Sequence, residues 1–374
     1  MKFLLIASFA ESLTGFRGPL IAALQAKGLQ VHVTAPGLAA GERTRLELEQ
    51  QGLVVHDIPM QRTGMNPLAD LQTVWALWRL MRNIKPDYVM GYTIKPVIYG
   101  SVAAWLARVP QRFALITGLG HTFQSTEGRP GRLESLVQRL YAVALSRVRT
   151  VFFQNPDDEA LFRSRSILTS SISSCVVNGS GVDVASFATA PIPVGRIRFL
   201  LIARLLAGKG VRLYAEAARR VRQRHPTASF ALVGWIDDNP DAIKQEELDA
   251  WVAEGTIDYL GRLADVRPSI EGCAVYVLPS YYREGTPRTV LEAMAMGRPI
   301  ITTDAPGCRE TVIDGDNGFL VPVKSVDALE QAMLKFIEAP ELVERMGQRA
   351  RQIAEEKYDV HKVNAVMLRE MGIA

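Results

Sequence analysis

"RFLLIARLLAGKG", residues 198–210, opens on an unbroken apolar run and closes on a lysine between two glycines. A strand that is apolar on both faces belongs in a parallel sheet covered from both sides. The glycines permit a tight turn, and an amphipathic stretch follows. The chain begins the same way. "FLLIASF" at 3–9 leads into Gly15, Gly18 and a helical pattern. The strand-turn-helix series therefore restarts near residue 198, and one chain holds two of them.

Further runs of the same kind lie at 30–35, 53–58, 88–92, 112–117 and 150–154, and again at 230–234, 274–279 and 299–303. Amphipathic segments alternate with them, and Asn66-Pro67 and Pro156 mark two of their starts. The alternation predicts doubly wound α/β architecture. Residues 178–197, "NGSGVDVASFATAPIPVGRI", are rich in Gly, Ser and Pro and read as a linker. The expected domains are 1–190 and 191–357, two Rossmann-like units with a cleft between them. A last helix at 358–374 is expected to pack back on the first.

The 374 residues suit two domains, and 48% hydrophobic with 22% charged residues is a globular composition. Three cysteines without metal-like spacing fit a reducing compartment. The start "MKFLLIASFAES" loosely resembles a signal peptide, but its short apolar run reads better as a first buried strand. Residues 1–190 hold 19 Lys+Arg against 13 Asp+Glu, and residues 191–374 hold 24 against 26. The basic bias of the first half points to anionic partners, phosphates or a lipid surface. It is too dispersed for nucleic acid, and no nucleic-acid motif accompanies it.

Ligands of open α/β sheets bind beyond the carboxyl ends of strands. Three loops fall there. One carries Gly15, Arg17 and Gly18. The second carries Arg204 and Lys209, which can direct two cations at one anion. The third is "SYYREGTPRTVLEAMAMG" (280–297), with Glu284 before a helix start and Glu292 inside the helix. On spacing alone, solvated charges and a capping acid explain these residues as well. The Trp75–Trp78 stripe of 71–85 reads as core. Arg129, Arg132, Arg139, Arg147 and Arg149 face one acid, Glu134, in 128–150. That basic face fits either an anionic membrane or plain solvent. Asp237-Asp238 lacks metal-site spacing, and no metal or cofactor is expected.

With these residues in place, the whole chain resembles a family-4 retaining glycosyltransferase of the GT-B fold. Glu284 and Glu292 match that family's E-x7-E signature, Arg204 and Lys209 its diphosphate-binding cations, and the loop at Gly15 and Gly18 its phosphate-side glycine loop. The resemblance implies that Glu284 meets the donor sugar and Glu292 the ribose. Gly285, Thr286, Pro287 and Arg288 would contact sugar and diphosphate. Pro287 stands where many members have glycine, a departure bearing on sugar identity.

"GYTIKPVIYGSVAAWLARVP" (91–110) and "ITGLGHTF" (116–123) resemble bacterial enzymes building surface polysaccharide, O-antigen or protein-glycan precursors on undecaprenyl diphosphate. Many of these use UDP-GalNAc or UDP-GlcNAc. The likeness implies a nucleotide-sugar donor, a lipid-linked saccharide acceptor and a cytoplasmic enzyme peripheral on the inner membrane face. His121 would sit near the reacting centre, or else be a structural loop histidine. Lys95 and Arg17 would meet the acceptor diphosphate. Two alternatives remain: a sugar-nucleotide epimerase or hydrolase of the same shape, and a dinucleotide-dependent dehydrogenase. Against the dehydrogenase, neither first-strand loop has G-x-G-x-x-G.

Overall fold

The structure, a computed structural model, describes all residues except 62–63, 65, 120–130, 238 and 374, and the side chains of Arg132 and Leu133. Two compact units divide the chain: Met1–Ser180 with His361–Ala374, and Gly181–Val360.

The first unit has seven strands: β1 (Lys2–Ile6), β2 (Gln30–Ala35), β3 (Val54–Asp57), β4 (Tyr88–Tyr92), β5 (Gln111–Ile116), β6 (Thr150–Phe153) and β7 (Ser173–Val176). They form one parallel sheet in the order β3-β2-β1-β4-β5-β6-β7. The second unit has β8 (Arg198–Ile202), β9 (Ser229–Val233), β10 (Asp258–Tyr259), β11 (Val275–Leu278), β12 (Ile300–Thr303) and β13 (Gly318–Val321), parallel in the order β10-β9-β8-β11-β12-β13.

Continuous apolar runs arise because both faces of each sheet are covered. Phe3 and Leu5 join one core and Leu4 and Ile6 another. Likewise Phe199 and Leu201 point into one layer, Leu200 and Ile202 into the opposite one. Successive side chains alternate in direction along a strand, so a two-sided core demands apolar residues throughout. Three strands went unread in the sequence: β7, β10 and β13. β7 is a half-exposed edge reading "SSCV", β10 has two residues, and β13 begins at a glycine.

In each sheet the chain leaves the centre in two directions, so the strand order reverses between β1 and β4 and between β8 and β11. These are the points where open α/β sheets leave a crevice for ligands.

The second unit starts at Gly181, earlier than the linker composition of 178–197 suggests. Two arginines hold that segment. Arg298, fully buried, donates to the carbonyls of Ala190 and Pro191, both at 2.9 Å. Arg351 donates to those of Val184 at 3.0 Å and Phe187 at 2.9 Å. Val182 also pairs with the chain at 358–360. Irregular backbone can lie inside a unit once its carbonyls find donors. At the far end, the helix Val360–Met371 inserts Val363, Met367, Leu368 and Met371 into the core of the first unit beside Phe3 and Val31.

One expectation is overturned here. The helix Pro67–Ile84 buries Thr73, Leu77 and Met81, while Trp75 is 54% exposed and so is not core. Trp78 does pack against the buried layer.

Candidate functional site

In the second unit, the turn after β8 holds both predicted cations. Arg204 follows the strand directly, and a 3-10 turn, Ala207–Lys209, leads through Gly210 into the helix Val211–Arg224. The glycines around Lys209 are sterically required. A Cβ on Gly208 would lie 2.3 Å from Cζ of Tyr282, and one on Gly210 would lie 2.1 Å from the carbonyl oxygen of Pro279. Gly210 also has φ +77°. The turn after β8 is thus pressed against the loop after β11, and this contact brings Lys209 to Glu284.

Lys209 Nζ donates to Glu284 Oε1 at 2.5 Å, and Ser280 Oγ donates to the same oxygen at 2.8 Å. Ser280 itself is fully buried. The Glu284 charge is felt below it. Burial first, then this carboxylate, push the Cys308 thiol up to about 12. Arg204 donates to Asp237 Oδ2 at 3.0 Å. Asp241 accepts from the amide of Gly208 at 3.1 Å and from the hydroxyl of Tyr282. Tyr282 is held above the ordinary tyrosine range by burial and then by that carboxylate.

Pro287 caps the helix Arg288–Ala295, which ends before Gly297 in the left-handed conformation at φ +75°. Glu292, read as an acid on a normally solvated face, is only 6% exposed. Arg288 donates to it at 2.8 Å. Burial raises its carboxyl above the usual range, with the Arg288 charge pulling the other way. Gly285, Thr286 and Arg288 follow Glu284 directly into this helix start.

The first unit presents a second polar group around the crossing of β1 and β4. Gly15 closes a short helix, Glu11–Gly15, and Gly18 opens Gly18–Ala26, so the segment is two helices and not the flexible turn expected. Neither glycine has positive φ, and a Cβ on either would meet nothing within 4 Å. Arg17 between them is buried, its guanidinium 5.0 Å above the ring centre of Tyr92. The hydroxyls of Ser12 and Tyr92 share a 2.6 Å hydrogen bond, and Thr93 donates to Ser8 at 2.9 Å. Lys95 is also buried and donates to Asp70 Oδ1 at 2.9 Å. Tyr99 donates to the same carboxylate; burial, then that bond, lift it above its ordinary value.

Sequence reading named the cations but missed Asp237 and Asp70, which pair with Arg204 and Lys95, Ser280, which donates to Glu284, and the Asp241–Tyr282 pair that holds the turn at Gly208. Asp237 was weighed only as half of an acid pair, and Asp238 lies outside the described residues. Asp70 reads locally as an acid in a first helical turn. His121, with Gly120 and Arg129, also lies outside them. Among the described residues, no three His, Cys, Asp or Glu side chains stand close enough to hold a metal ion.

The family described as "Glycosyl transferases group 1" matches residues 196–339, and the "Glycosyl transferase 4-like domain" matches 18–168. The chain belongs to these glycosyltransferases. It is 28% identical, over 95% of its length and 94% of the relative's, to the N,N'-diacetylbacillosaminyl-diphospho-undecaprenol alpha-1,3-N-acetylgalactosaminyltransferase of Campylobacter jejuni. It is 26% identical, over 74% of its length and 73% of the relative's, to an Escherichia coli UDP-Gal:alpha-D-GlcNAc-diphosphoundecaprenol alpha-1,3-galactosyltransferase. Among solved structures, Anabaena HepE in complex with UDP superposes with a TM-score of 0.77 at 19% identity, covering 100% of both chains. Sucrose-phosphate synthase of Thermosynechococcus elongatus gives 0.79 at 16% identity, covering 99% of this chain and 98% of that one. The glycosyltransferase fold is therefore GT-B. With the family, the dehydrogenase reading falls.

Proposed function

We propose that this glycosyltransferase moves a sugar from a UDP-sugar, UDP-GalNAc or UDP-GlcNAc first among them, to a saccharide on a lipid diphosphate, with retention of the anomeric configuration. The observation that carries the donor half is the gathering of Arg204, Lys209 and Glu284 where β8 and β11 part. In the free protein each cation rests on a carboxylate. A diphosphate gives both a stronger anion, and the Arg204 fork suits phosphate oxygens. The relatives' names, both enzymes of undecaprenol-diphosphate sugars, support the acceptor half.

In this reading the donor lies along the second unit. Glu292 takes the ribose hydroxyls, and Glu284, oriented by Ser280, takes the hydroxyls of the donor sugar. Gly285, Thr286, Pro287 and Arg288 line the sugar and diphosphate. The bond from the anomeric carbon to the diphosphate oxygen breaks. Arg204, Lys209 and the helix dipole at 288 stabilise the charge left on UDP. The acceptor hydroxyl attacks from the same face and passes its proton to the leaving phosphate. Lys95 and Arg17 hold the acceptor diphosphate, and Gly15 and Gly18 keep the donor-phosphate role, and His121 the role near the reacting centre, that the resemblance implies. No metal or organic cofactor takes part. The enzyme works at the cytoplasmic membrane face, reversibly attached.

The test pairs each of several UDP-sugars with a short-chain isoprenyl-diphosphate saccharide. Consumption of donor only when acceptor is present, an α-linked product and activity in EDTA are expected. Donor consumption without acceptor identifies a hydrolase or epimerase, and a β-linked product removes retention.

A further inference from the structure

The helix Pro67–Ile84 has two apolar faces, and only one is covered. Leu77 and Met81 are buried with Leu4 and Val89, while Thr73 donates to the carbonyl of Pro59. On the outward face stand Leu68, Leu71 and Trp75, which are 80%, 66% and 54% exposed. Their spacing continues into Arg79 and Arg82, both exposed. At 3.6 residues per turn these five positions form one stripe along the helix. Its first half is apolar and its second half is basic. The helix has one acid, Asp70, and that side chain is turned inward onto Lys95. The Arg79 guanidinium lies 5.5 Å over the Trp75 ring, joining the halves.

We propose that this stripe is the surface on which the glycosyltransferase lies against an anionic lipid bilayer. The inference rests on the lipid-linked acceptor of the proposed function and names the membrane face, for which the sequence offered 128–150 as either a membrane face or a solvated one. An interfacial helix carries an aromatic and leucines on one side and arginines that reach the headgroups. The stripe has that composition and no negative charge to repel anionic lipid. No described helix is long and apolar enough to cross a membrane, so the contact is in plane. The helix Arg132–Leu145 also exposes Leu136 and Val143, but its Val137 is buried and it carries an acid, Glu134, engaged with Arg165. The stripe begins beside the Asp70–Lys95 pair, so a protein lying on it brings the acceptor-side residues to the headgroup level.

Vesicles of phosphatidylglycerol and phosphatidylethanolamine test it by co-sedimentation of the full chain, with transfer to a short-chain soluble acceptor measured in parallel. Leu71→Glu/Trp75→Glu and Arg79→Glu/Arg82→Glu are expected to bind at least about tenfold more weakly and to keep soluble-acceptor turnover. Brominated lipid is expected to quench wild-type tryptophan fluorescence, and Trp75→Phe to lose most of that quenching. Unchanged binding in both double variants overturns the proposal, with loss in Arg132→Glu/Arg139→Glu moving the face to the other helix. A wild-type chain that ignores vesicles, or a dimer dissolved by Leu71→Glu/Trp75→Glu, also overturns it. Vesicle binding without sugar transfer sinks the functional reading and leaves this one standing.

Discussion

The two units share one topology yet treat their central crevices differently. In the second, glycine serves packing: Gly208 and Gly210 are pressed against Tyr282 and Pro279, and this closeness delivers Lys209 to Glu284. In the first, Gly15 and Gly18 touch nothing where a side chain would begin. The cations differ too. Arg204 is half-exposed and leans on an acid in the loop after β9, whereas Lys95 and Asp70 are mostly buried under Tyr99. A fold repeated twice has therefore produced one first-strand turn whose glycines are sterically committed and one whose glycines are open, the close packing of the first unit falling instead on Gly91 of β4, where a Cβ would lie 2.4 Å from the carbonyl oxygen of Pro96. Function lives in side chains placed on the fold, not in the fold.

Exchanging glycines breaks the comparison most sharply. Gly210→Ala adds a Cβ at 2.1 Å from a backbone oxygen in a left-handed residue. Overlap and backbone strain together should cost about 2–5 kcal/mol, read as a lower denaturant midpoint. Gly15→Ala and Gly18→Ala should stay within about 0.5 kcal/mol of wild type. If all three behave alike, the turns after β1 and β8 are not different in kind.

Next in size come the carboxylates. Glu284→Gln keeps shape and hydrogen-bonding capacity but strips the charge that faces Lys209 and Ser280. Sugar transfer should fall by at least about a hundredfold, since Glu284 accepts two charged hydrogen bonds, from Lys209 and Ser280, each contributing about 1.5–3 kcal/mol. Asp70→Asn should leave UDP affinity unchanged and raise the KM for the lipid-linked acceptor. Equal effects of both substitutions on donor kinetics would erase the division between the units.

Arg204→Ala and Lys209→Ala should each weaken UDP binding by about ten- to a hundredfold in calorimetry, while Lys95→Gln leaves it intact. Loss of UDP affinity in Lys95→Gln would put donor phosphate in the first unit as well.

The last effect concerns pH and also separates the units. His32 and His56 stack on neighbouring strands of the first sheet with nitrogens 2.9 Å apart. Burial, then the charges of His56 and Lys2, lower His32 from 6.5 to about 4. His56 is lowered too, by burial and then by Arg45. A depressed histidine binds its proton more readily in the unfolded chain. The stability it contributes is complete above pH 6.5 and is lost as pH falls toward 4. Thermal melts between these limits should show the first unit weakening first, and His32→Gln should reduce that slope. An unchanged slope in the variant would exonerate the pair.

Much of the architecture was legible because its signals are local. Ten of the strands announce themselves as short apolar runs, and a two-sided core leaves no other place for them. The helix start at Pro287 is a short-range steric fact of the same sort, whereas the glycines of "AGKG" answer to Tyr282 and Pro279, far along the chain. The strands that were missed lie at sheet edges or are brief, where burial no longer writes the pattern.

The sequence by itself determined the two α/β units, the positions of Arg204, Lys209 and Glu284 in loops after strands and of Glu292 inside a helix, and an amphipathic pattern at 71–85. Only the tertiary structure decided who meets whom. Lys209 finds Glu284 across 75 positions, Arg204 finds Asp237 across 33, and Lys95 finds Asp70 across 25. It also decided that the irregular segment from Gly181 belongs to the second unit, because Arg298 and Arg351 supply its carbonyls with donors. For the helix at 67–84, periodicity offered an apolar stripe through Trp75 and Trp78 that read as core, but which side is covered depends on the neighbours laid against it. Strand and helix patterns follow from each residue's immediate chain neighbours. Ion pairs and exposed stripes follow from the packing of distant segments, which no local pattern encodes.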